Sequence, residues 1–110
     1  MDAAVAQRVL RLVGLGVRSR GVVVGVEQVR TAAKNGTLVY AVVAPDASKH
    51  SLEKVVPLLQ ARRIRFVEGP SSVDLGAAVG REQTAAIGVV DRQLANGIRA
   101  LVESGSSEAR

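Results

Sequence analysis

The run of residues from Thr37 to Ala44, TLVYAVVA, constrains the fold more than any other stretch of the chain. From Leu38 onward the run is apolar without a break, whereas a strand with one face in solvent alternates apolar and polar residues. It therefore predicts a central strand that is covered on both faces. The run is also far shorter than the ~20 apolar residues that span a bilayer.

Segments with helical periodicity alternate with short β-branched runs through the rest of the chain. In chain order the pattern predicts a helix over Ala3–Gly16, a strand over Val22–Val24, a helix over Gly25–Gly36, the strand Thr37–Ala44, a helix containing Leu52–Leu59, a strand over Ile64–Val67, a helix through Val79, a strand over Ala85–Val90 and a last helix after Asp91. This order predicts an α/β fold, a three-layer α/β/α sandwich with a four-stranded mixed sheet.

Turn and cap residues mark the boundaries of these elements. Glycines at positions 14 and 16 weaken the end of the first helix, so residues 16–21 are predicted to form a basic loop. Pro57 is expected to kink or split its helix, because a proline in a helix interior costs ~3 kcal/mol. The candidate N-cap residues of the later helices are Asp46 or Ser48, Ser71 or Ser72, and Asp91.

Length and composition indicate one globular domain. The chain has 110 residues, 47% hydrophobic and 23% charged, so it can bury one core but not two. We expect residues 1–104 to form a single domain and residues 105–110, which are rich in Ser, Gly and charge, to form a flexible C-terminal tail. Asp2, Arg8 and Arg11 interrupt any signal-peptide core, so we predict a cytoplasmic protein that has no membrane partner. The very soluble tail and the modest apolar surface predict a monomer.

Charge makes nucleic acid the leading class of partner. Lysine and arginine outnumber acidic residues by 15 to 10, which gives a net charge of +5 and a pI near 10.7. Acidic proteins and membrane surfaces are the less favoured alternatives. The chain has only two aromatic residues, Tyr40 and Phe66, so it cannot build the stacking platforms that single-stranded RNA binders of the aromatic type use.

The predicted helix over Gly25–Gly36, GVEQVRTAAKNG, is the leading candidate for recognition. Its apolar stripe contains Val26, Val29, Ala32 and Ala33, and its polar residues fall on the other side. A glycine at the helix entrance allows close approach of another backbone, and the helix start offers free N–H groups to a polyanion with readable base edges. The alternative is an ordinary surface helix with a solvated charged face.

Four pieces of sequence resemble one family. They are the Gly25–Gly36 helix, the strand end VVAPDAS over residues 42–48, PLLQ over 57–60, and LGAAVGRE over 75–82. Together they resemble the kink-turn RNA-binding family typified by the archaeal ribosomal protein "L-seven-Ae" and its "L-thirty-e" relatives, in particular its small bacterial YlxQ-type members. The resemblance covers residues 9–98 and implies a non-enzymatic protein that recognises structured RNA, a kink-turn, as a ribosome- or translation-associated factor.

The resemblance also implies the site. In the family, the helix start contacts the sheared G·A pairs of a kink-turn, and the loop before the last strand closes over an extruded base. The matching residues here are Gly25, Val26, Glu27, Gln28 and Thr31 in the first element and Arg81, Glu82, Gln83, Thr84 and Ala85 in the second. Glutamate can accept from a guanine edge, and glutamine can donate and accept. The candidates for flanking phosphate contacts are Arg30, Lys34, Arg18 and Arg20.

The chain departs from the family pattern at three places. Archaeal members commonly carry Asn-Glu at Glu27-Gln28 and a lysine at Thr31, although Gln28 matches the "L-thirty-e" branch. The loop at Gln83 and Thr84 is polar where relatives have small apolar residues. These departures keep a second hypothesis open, a protein-interaction module with the same fold that has lost specific RNA binding. A second basic cluster, Arg62, Arg63 and Arg65, is either a solvated helix end or an extension of an RNA footprint.

An enzyme is the third and least favoured reading. His50 is the only histidine, and a lone histidine without a partnered nucleophile is more typical of a solvated surface. There is no cysteine, and the scattered carboxylates fit capping better than metal binding. We therefore predict no catalytic residues, no metal ligands, no cofactor and no small-molecule substrate.

Overall fold

The computed structural model describes residues 1–108, with side chains through residue 104. In chain order its elements are α1 (Ala3–Ser19), β1 (Val22–Val24), α2 (Val26–Asn35), β2 (Tyr40–Val43), α3 (Lys49–Ala61), β3 (Phe66–Glu68), α4 (Ser72–Ala78), β4 (Ala86–Val89) and α5 (Arg92–Glu108). The predicted alternation of helices and strands is confirmed. The predicted tail begins at residue 105, inside the last turns of α5, and residues 109–110 lie outside the described residues, so the tail stays a prediction.

The four strands form one mixed sheet in the order β1-β4-β2-β3. The last strand, β4, runs antiparallel to both of its neighbours, and Ile87 of β4 lies opposite Val24 of β1 and Val42 of β2. β2 and β3 are parallel, with Ala41 opposite Phe66. Every residue of β2 and β4 is buried, as the continuous apolar run predicts for a central strand.

Two cores lie on the two faces of the sheet. On one face Tyr40 and Val42 pack with residues of α1, α4 and α5. On the other face Ala41 and Val43 pack with residues of α2 and α3. Because successive strand residues point to opposite faces, the apolar run fills both cores, and the three-layer sandwich is confirmed.

The ends of the strands form two opposite edges of the sheet. β1, β2 and β3 point the same way, so their carboxyl ends meet at one edge, together with the start of β4. We call this the carboxyl edge, and it carries the starts of α2, α3 and α4. The opposite edge, where β1, β2 and β3 begin, is the amino edge, and it carries the ends of α1, α2 and α3 and the start of α5.

The predicted basic loop over residues 16–21 is wrong, because α1 continues to Ser19. Gly16 is buried, and a Cβ there would lie 2.6 Å from side-chain atoms of Leu94 and Val22. This glycine therefore allows close packing between α1, α5 and β1, and it does not end the helix. Of residues 16–21 only Arg20, the C-cap with a φ of 60°, and Gly21 lie outside the helix.

β2 is shorter than the predicted strand at both ends. At its amino end the backbone N–H groups of Thr37 and Leu38 donate to Ala32 O at 3.1 and 3.2 Å, so they close the end of α2 and are lost to the sheet. Pro57 does not split its helix, since α3 is one helix through Ala61. The predicted kink stays a prediction. Pro57 and Glu53, whose carbonyl loses its helical partner, are both exposed, so water can satisfy that carbonyl.

Side-chain caps begin four of the five helices. Ser48 caps α3 and Ser71 caps α4, both as predicted, and Asp91 accepts from Leu94 N at 3.0 Å. Asp46 has a different role from the predicted one. Its carboxylate accepts from Ser72 N at 2.8 Å and from Ser72 Oγ at 3.1 Å, which fastens the β2–α3 turn to the start of α4.

The segment that leads into β4 folds back tightly on α4. Gly76 is buried, its carbonyl accepts from Arg81 N at 2.8 Å, and Thr84 N donates to Ser72 O at 3.0 Å. A Cβ at position 76 would lie 2.4 Å from the Cα of Gln83. Glycine is therefore required here for the close approach of the returning backbone.

We expect Gly76→Ala to destabilise the protein by about 1–3 kcal/mol, because the added methyl overlaps backbone that cannot rotate away. Urea denaturation measures the change. Gly97→Ala is the matched control, since a Cβ in that helix would stand 3.4 Å from Leu12 Cδ1 and alanine favours helix by up to about 1 kcal/mol. Equal stability of the two variants would contradict the packing account of Gly76.

The Ser72 N–H that donates to Asp46 holds the pKa of this carboxyl below its ordinary value of about 3.9. A lowered folded-state pKa stabilises the fold above that ordinary value, and the contribution is lost as the pH falls through the folded-state pKa. We expect Asp46→Asn to lower the Tm at pH 6, with the difference from wild type shrinking toward pH 2. Asp74→Asn is the control, because Asp74 lies in the first turn of α4, the turn whose Ser72 donates to Asp46. A difference that stays constant over this range would show that the Asp46 charge is unimportant.

Candidate nucleic-acid interface

The start of α2 differs from the other helix starts because it has no side-chain cap. Its N-cap is Gly25, with a φ of 97°, a conformation that favours glycine. The first helical bond runs from Val29 N to Gly25 O, at 3.0 Å. The N–H groups of residues 26–28 come before that bond in the chain, so they have no partner within the helix. They form the positive end of the helix dipole. This end of α2 can therefore receive an anion or a base edge.

The loop over residues 81–85 lies beside that helix start. Gly25 N donates to Ala86 O at 2.9 Å, which ties the entrance of α2 to the beginning of β4. A Cβ at Gly25 would stand 4.0 Å from Nη1 of Arg81. The structure thus brings together the two elements that sequence analysis placed in one site, although they are separated by more than fifty residues.

Glu27 and Arg30 face α3. Glu27 Oε2 lies 3.6 Å from Nζ of Lys54, and Nη1 of Arg30 donates to the backbone carbonyl of Lys54 at 2.6 Å. The Glu27 side chain is 74% exposed, and an exposed ion pair contributes only about 0–1 kcal/mol. Glu27 can therefore exchange its lysine partner for a ligand at little cost, whereas Arg30 is held against α3.

Gln28 lies on the other flank of α2, next in sequence to Glu27. With Thr31 and Asn35 it lines a groove of about 380 Å³ beside β1, whose floor includes Val23 and Val90. Consecutive helical residues are about 100° apart, so Glu27 and Gln28 straddle the exposed ridge of α2. Val26 packs against the core and offers its backbone N–H but little of its side chain.

A polar pocket of about 460 Å³ opens between the 81–85 loop and the start of α3. Its lining residues are Asp46, Ala47, Ser48, Ser51, Ser72, Gln83, Thr84 and Ala85. Gln83 is exposed, but Thr84 is only 7% exposed, and its hydroxyl donates to Ala86 O at 3.3 Å. Thr84 therefore holds the loop in place, while Gln83 is free to meet a ligand. Arg81 and Glu82 are exposed on the same loop.

Three predicted phosphate-binding residues are absent from this edge. Arg18 lies in the last turn of α1 and Arg20 at its C-cap, both at the amino edge. Lys34 lies in the last turn of α2, seven residues and about 10 Å along the helix from Glu27. The structure does not bring these side chains to the helix start or to the 81–85 loop.

Sequence reasoning missed the contribution of α3 to this region. Lys54 contacts both Glu27 and Arg30, and Ser48 and Ser51 line the pocket. Ser48 was recognised only as a cap. The missing information was that β1 and β2 run in the same direction on either side of β4. The helices that follow these strands, α2 and α3, therefore start at the same edge.

The described part of the chain offers little for other chemistries. Within residues 1–108, no group of three or more His, Cys, Asp or Glu side chains is close enough to hold a metal ion. None of the helices in this range is long and apolar enough to cross a membrane. His50 is exposed in the first turn of α3.

Two solved structures share the fold. A protein of unknown function from Bacillus halodurans C is 29% identical, with a TM-score of 0.80, over 87% of this chain and 97% of the other. The 15.5kD RNA binding protein of Giardia lamblia is 18% identical, with a TM-score of 0.77, over 97% of this chain and 92% of the other. At 18% identity, the similarity to the Giardia lamblia protein shows a shared fold.

No protein of curated function is similar enough in sequence to count as a relative. A sequence model of one family, described as the ribosomal protein L7Ae/L30e/S12e/Gadd45 family, does match, over residues 7–98. That span contains α2, the 81–85 loop and all four strands. The chain therefore belongs to the ribosomal protein L7Ae/L30e/S12e/Gadd45 family.

Proposed function

We propose that this protein binds structured RNA at the carboxyl edge, and that its preferred ligand is a kink-turn. Membership of a ribosomal protein family supports RNA binding in general, as does the fold shared with an RNA binding protein of Giardia lamblia. The observation that carries the proposal is the hydrogen bond from Gly25 N to Ala86 O, which holds the uncapped start of α2 beside the loop that leads into β4. Two recognition elements that are remote in sequence form one surface.

The start of α2 is the proposed reader of the G·A pairs. The free N–H groups of residues 26–28 suit a phosphate or a base edge, and Glu27 and Gln28 supply an acceptor and a donor–acceptor on either side of the ridge. Glutamate is a poor choice for a phosphate site because both groups are anionic. Its exposure at this position instead favours contact with the N–H groups of a base edge.

The polar pocket beside the 81–85 loop is the proposed receptor of an extruded base. Gln83, Ser48 and Ser51 line it with groups that donate and accept hydrogen bonds. In relatives, small apolar loop residues would stack on the face of such a base. In this chain the amide of Gln83 can instead form hydrogen bonds with the edge of the base. We therefore expect the chain to prefer particular bases at that position.

The wider role follows from the same family. We propose that the RNA is ribosomal or associated with translation, and that the protein acts in the cytoplasm as a monomer without catalytic activity. A protein-interaction module that has lost specific RNA binding is the alternative, and the titration below separates the two.

The test is a binding titration with a kink-turn RNA and with the same RNA after its G·A pairs are replaced by Watson–Crick pairs. We expect tight binding to the intact RNA alone, weakening as salt rises because phosphate contacts release counterions. Equal weak binding to both RNAs would contradict kink-turn recognition and direct attention to protein partners.

We expect Glu27→Ala and Gln28→Ala each to weaken kink-turn binding by about 1–3 kcal/mol, roughly 5- to 150-fold, the range for a bidentate base contact. The sign is diagnostic for Glu27, because removal of a negative charge would on electrostatic grounds alone strengthen binding to a polyanion.

Glu53→Ala is the matched control for Glu27→Ala. Glu53 is an exposed acid in one ion pair, 3.9 Å from Lys49, much as Glu27 pairs with Lys54. This variant should bind the RNA as tightly as wild type or slightly more so. If Glu27→Ala behaves like Glu53→Ala, the helix start does not read the RNA.

A further inference from the structure

The positive charge of this chain is concentrated away from the proposed recognition site. Seven of its fifteen Lys and Arg side chains lie exposed at the amino edge. We call them the amino-edge cluster: Arg18, Arg20, Lys34, Arg62, Arg63, Arg65 and Arg92. The carboxyl edge, by contrast, is mixed in charge: the acids Glu27, Asp46, Glu68 and Glu82 lie there with the cations Arg30, Lys49, Lys54 and Arg81.

The cluster follows the whole width of the sheet. Arg20 precedes Gly21, whose carbonyl accepts from Val90 N at 2.9 Å, so the start of β1 and the end of β4 meet there. At the other side, Arg65 O accepts from Ala41 N at 3.1 Å. Four strands at a spacing of about 4.8 Å give the row a length of roughly 14 Å.

Few acids neutralise this row. Asp91 is engaged as the cap of α5, and Glu103 lies 3.8 Å from Arg65 and 3.3 Å from Arg99. Among the side chains described, through residue 104, the other six members of the cluster have no carboxylate oxygen within 4 Å. The row therefore presents a strong local positive potential.

Backbone geometry adds an independent observation. Within the described residues, the non-glycine residues with positive φ are Arg20, at 60°, and Arg63, at 56°. Both follow the end of a helix, where glycine is the usual residue because it has no Cβ to strain. The backbone at both positions favours glycine, yet both positions carry an exposed arginine.

The lack of an aromatic ring that could stack on bases narrows the kind of nucleic acid that suits the amino-edge cluster. Tyr40 is 4% exposed, and Phe66 packs against the core that α2 and α3 form with the sheet, so neither ring is offered as a stacking platform. Arginine binds phosphate through a planar, bidentate fork. A row of arginines without stacking rings suits a paired backbone better than splayed single-stranded bases.

We propose that the amino-edge cluster is a second RNA surface, which binds the phosphate backbone of a duplex without reading its sequence. The proposal extends the RNA binding inferred for the carboxyl edge and rests on it. A folded RNA would then be held at two opposite edges, one specific and one electrostatic. This assignment also gives a role to Arg18, Arg20 and Lys34, which the structure separates from the specific site.

The test uses the double variant Arg20→Gly/Arg63→Gly. Glycine fits both backbone conformations, so the variant should have a Tm equal to or above that of wild type. The probe is a fully Watson–Crick-paired RNA duplex of about two helical turns, titrated over a range of salt. We expect the slope of log affinity against log salt to fall by about 2, with roughly tenfold weaker binding near 0.2 M salt.

Arg8→Gln/Arg11→Gln is the matched control, because it removes two exposed charges from the outer face of α1. It should keep most of the duplex affinity. An equal loss in both double variants would overturn the proposal in favour of net charge alone, as would unchanged binding in Arg20→Gly/Arg63→Gly. Wild type that binds a kink-turn RNA but no duplex would overturn this inference and leave the proposed function intact. Duplex binding with no preference for intact G·A pairs would contradict the proposed kink-turn recognition and leave the amino-edge surface supported.

Discussion

The antiparallel insertion of β4 between β1 and β2 is the constraint on which the rest of the structure depends. Gly25 N donates to Ala86 O at 2.9 Å, and Ala44 N donates to Ala85 O at 2.8 Å. The start of the last strand is thereby bonded on one side to the entrance of α2 and on the other to the end of β2. The 81–85 loop, α2 and the α3 start then meet at the carboxyl edge, and Gly76 lets the loop return closely enough for this to happen.

The two edges of the sheet divide specificity from electrostatic attraction in our account. Free helix N–H groups, Glu27, Gln28 and a polar pocket at the carboxyl edge can discriminate among bases. The acids and cations there nearly balance, so the net attraction of this edge for phosphate is small. The amino edge has the opposite character, with seven exposed Lys and Arg side chains and few acids to neutralise them. Since phosphate contacts supply much of the affinity for nucleic acids and base contacts supply the specificity, an RNA-binding protein needs both.

Much of this fold was predictable because its signals are local. The apolar run from Leu38 reports burial on both faces, and Ser48, Ser71 and Asp91 cap helices as their positions indicate. The errors arose where the surroundings in the folded chain decide: Gly16 allows close packing of α1 on α5 and β1, and the Glu53 carbonyl that Pro57 leaves without a helical partner is open to water. The candidate site was likewise predictable only in part. Motif resemblance found its two elements, but Lys54 and the distance to Arg18 and Arg20 depend on strand order, which no local pattern encodes.

The most direct test of the central claim is a titration of isotope-labelled protein with a kink-turn RNA, followed by backbone amide chemical shifts in NMR spectra. The account predicts that the largest changes occur at residues 26–28 and 81–85, on both sides of the Gly25–Ala86 bond. Saturation of binding with these amides unchanged, and with changes confined to the amino edge, would contradict it.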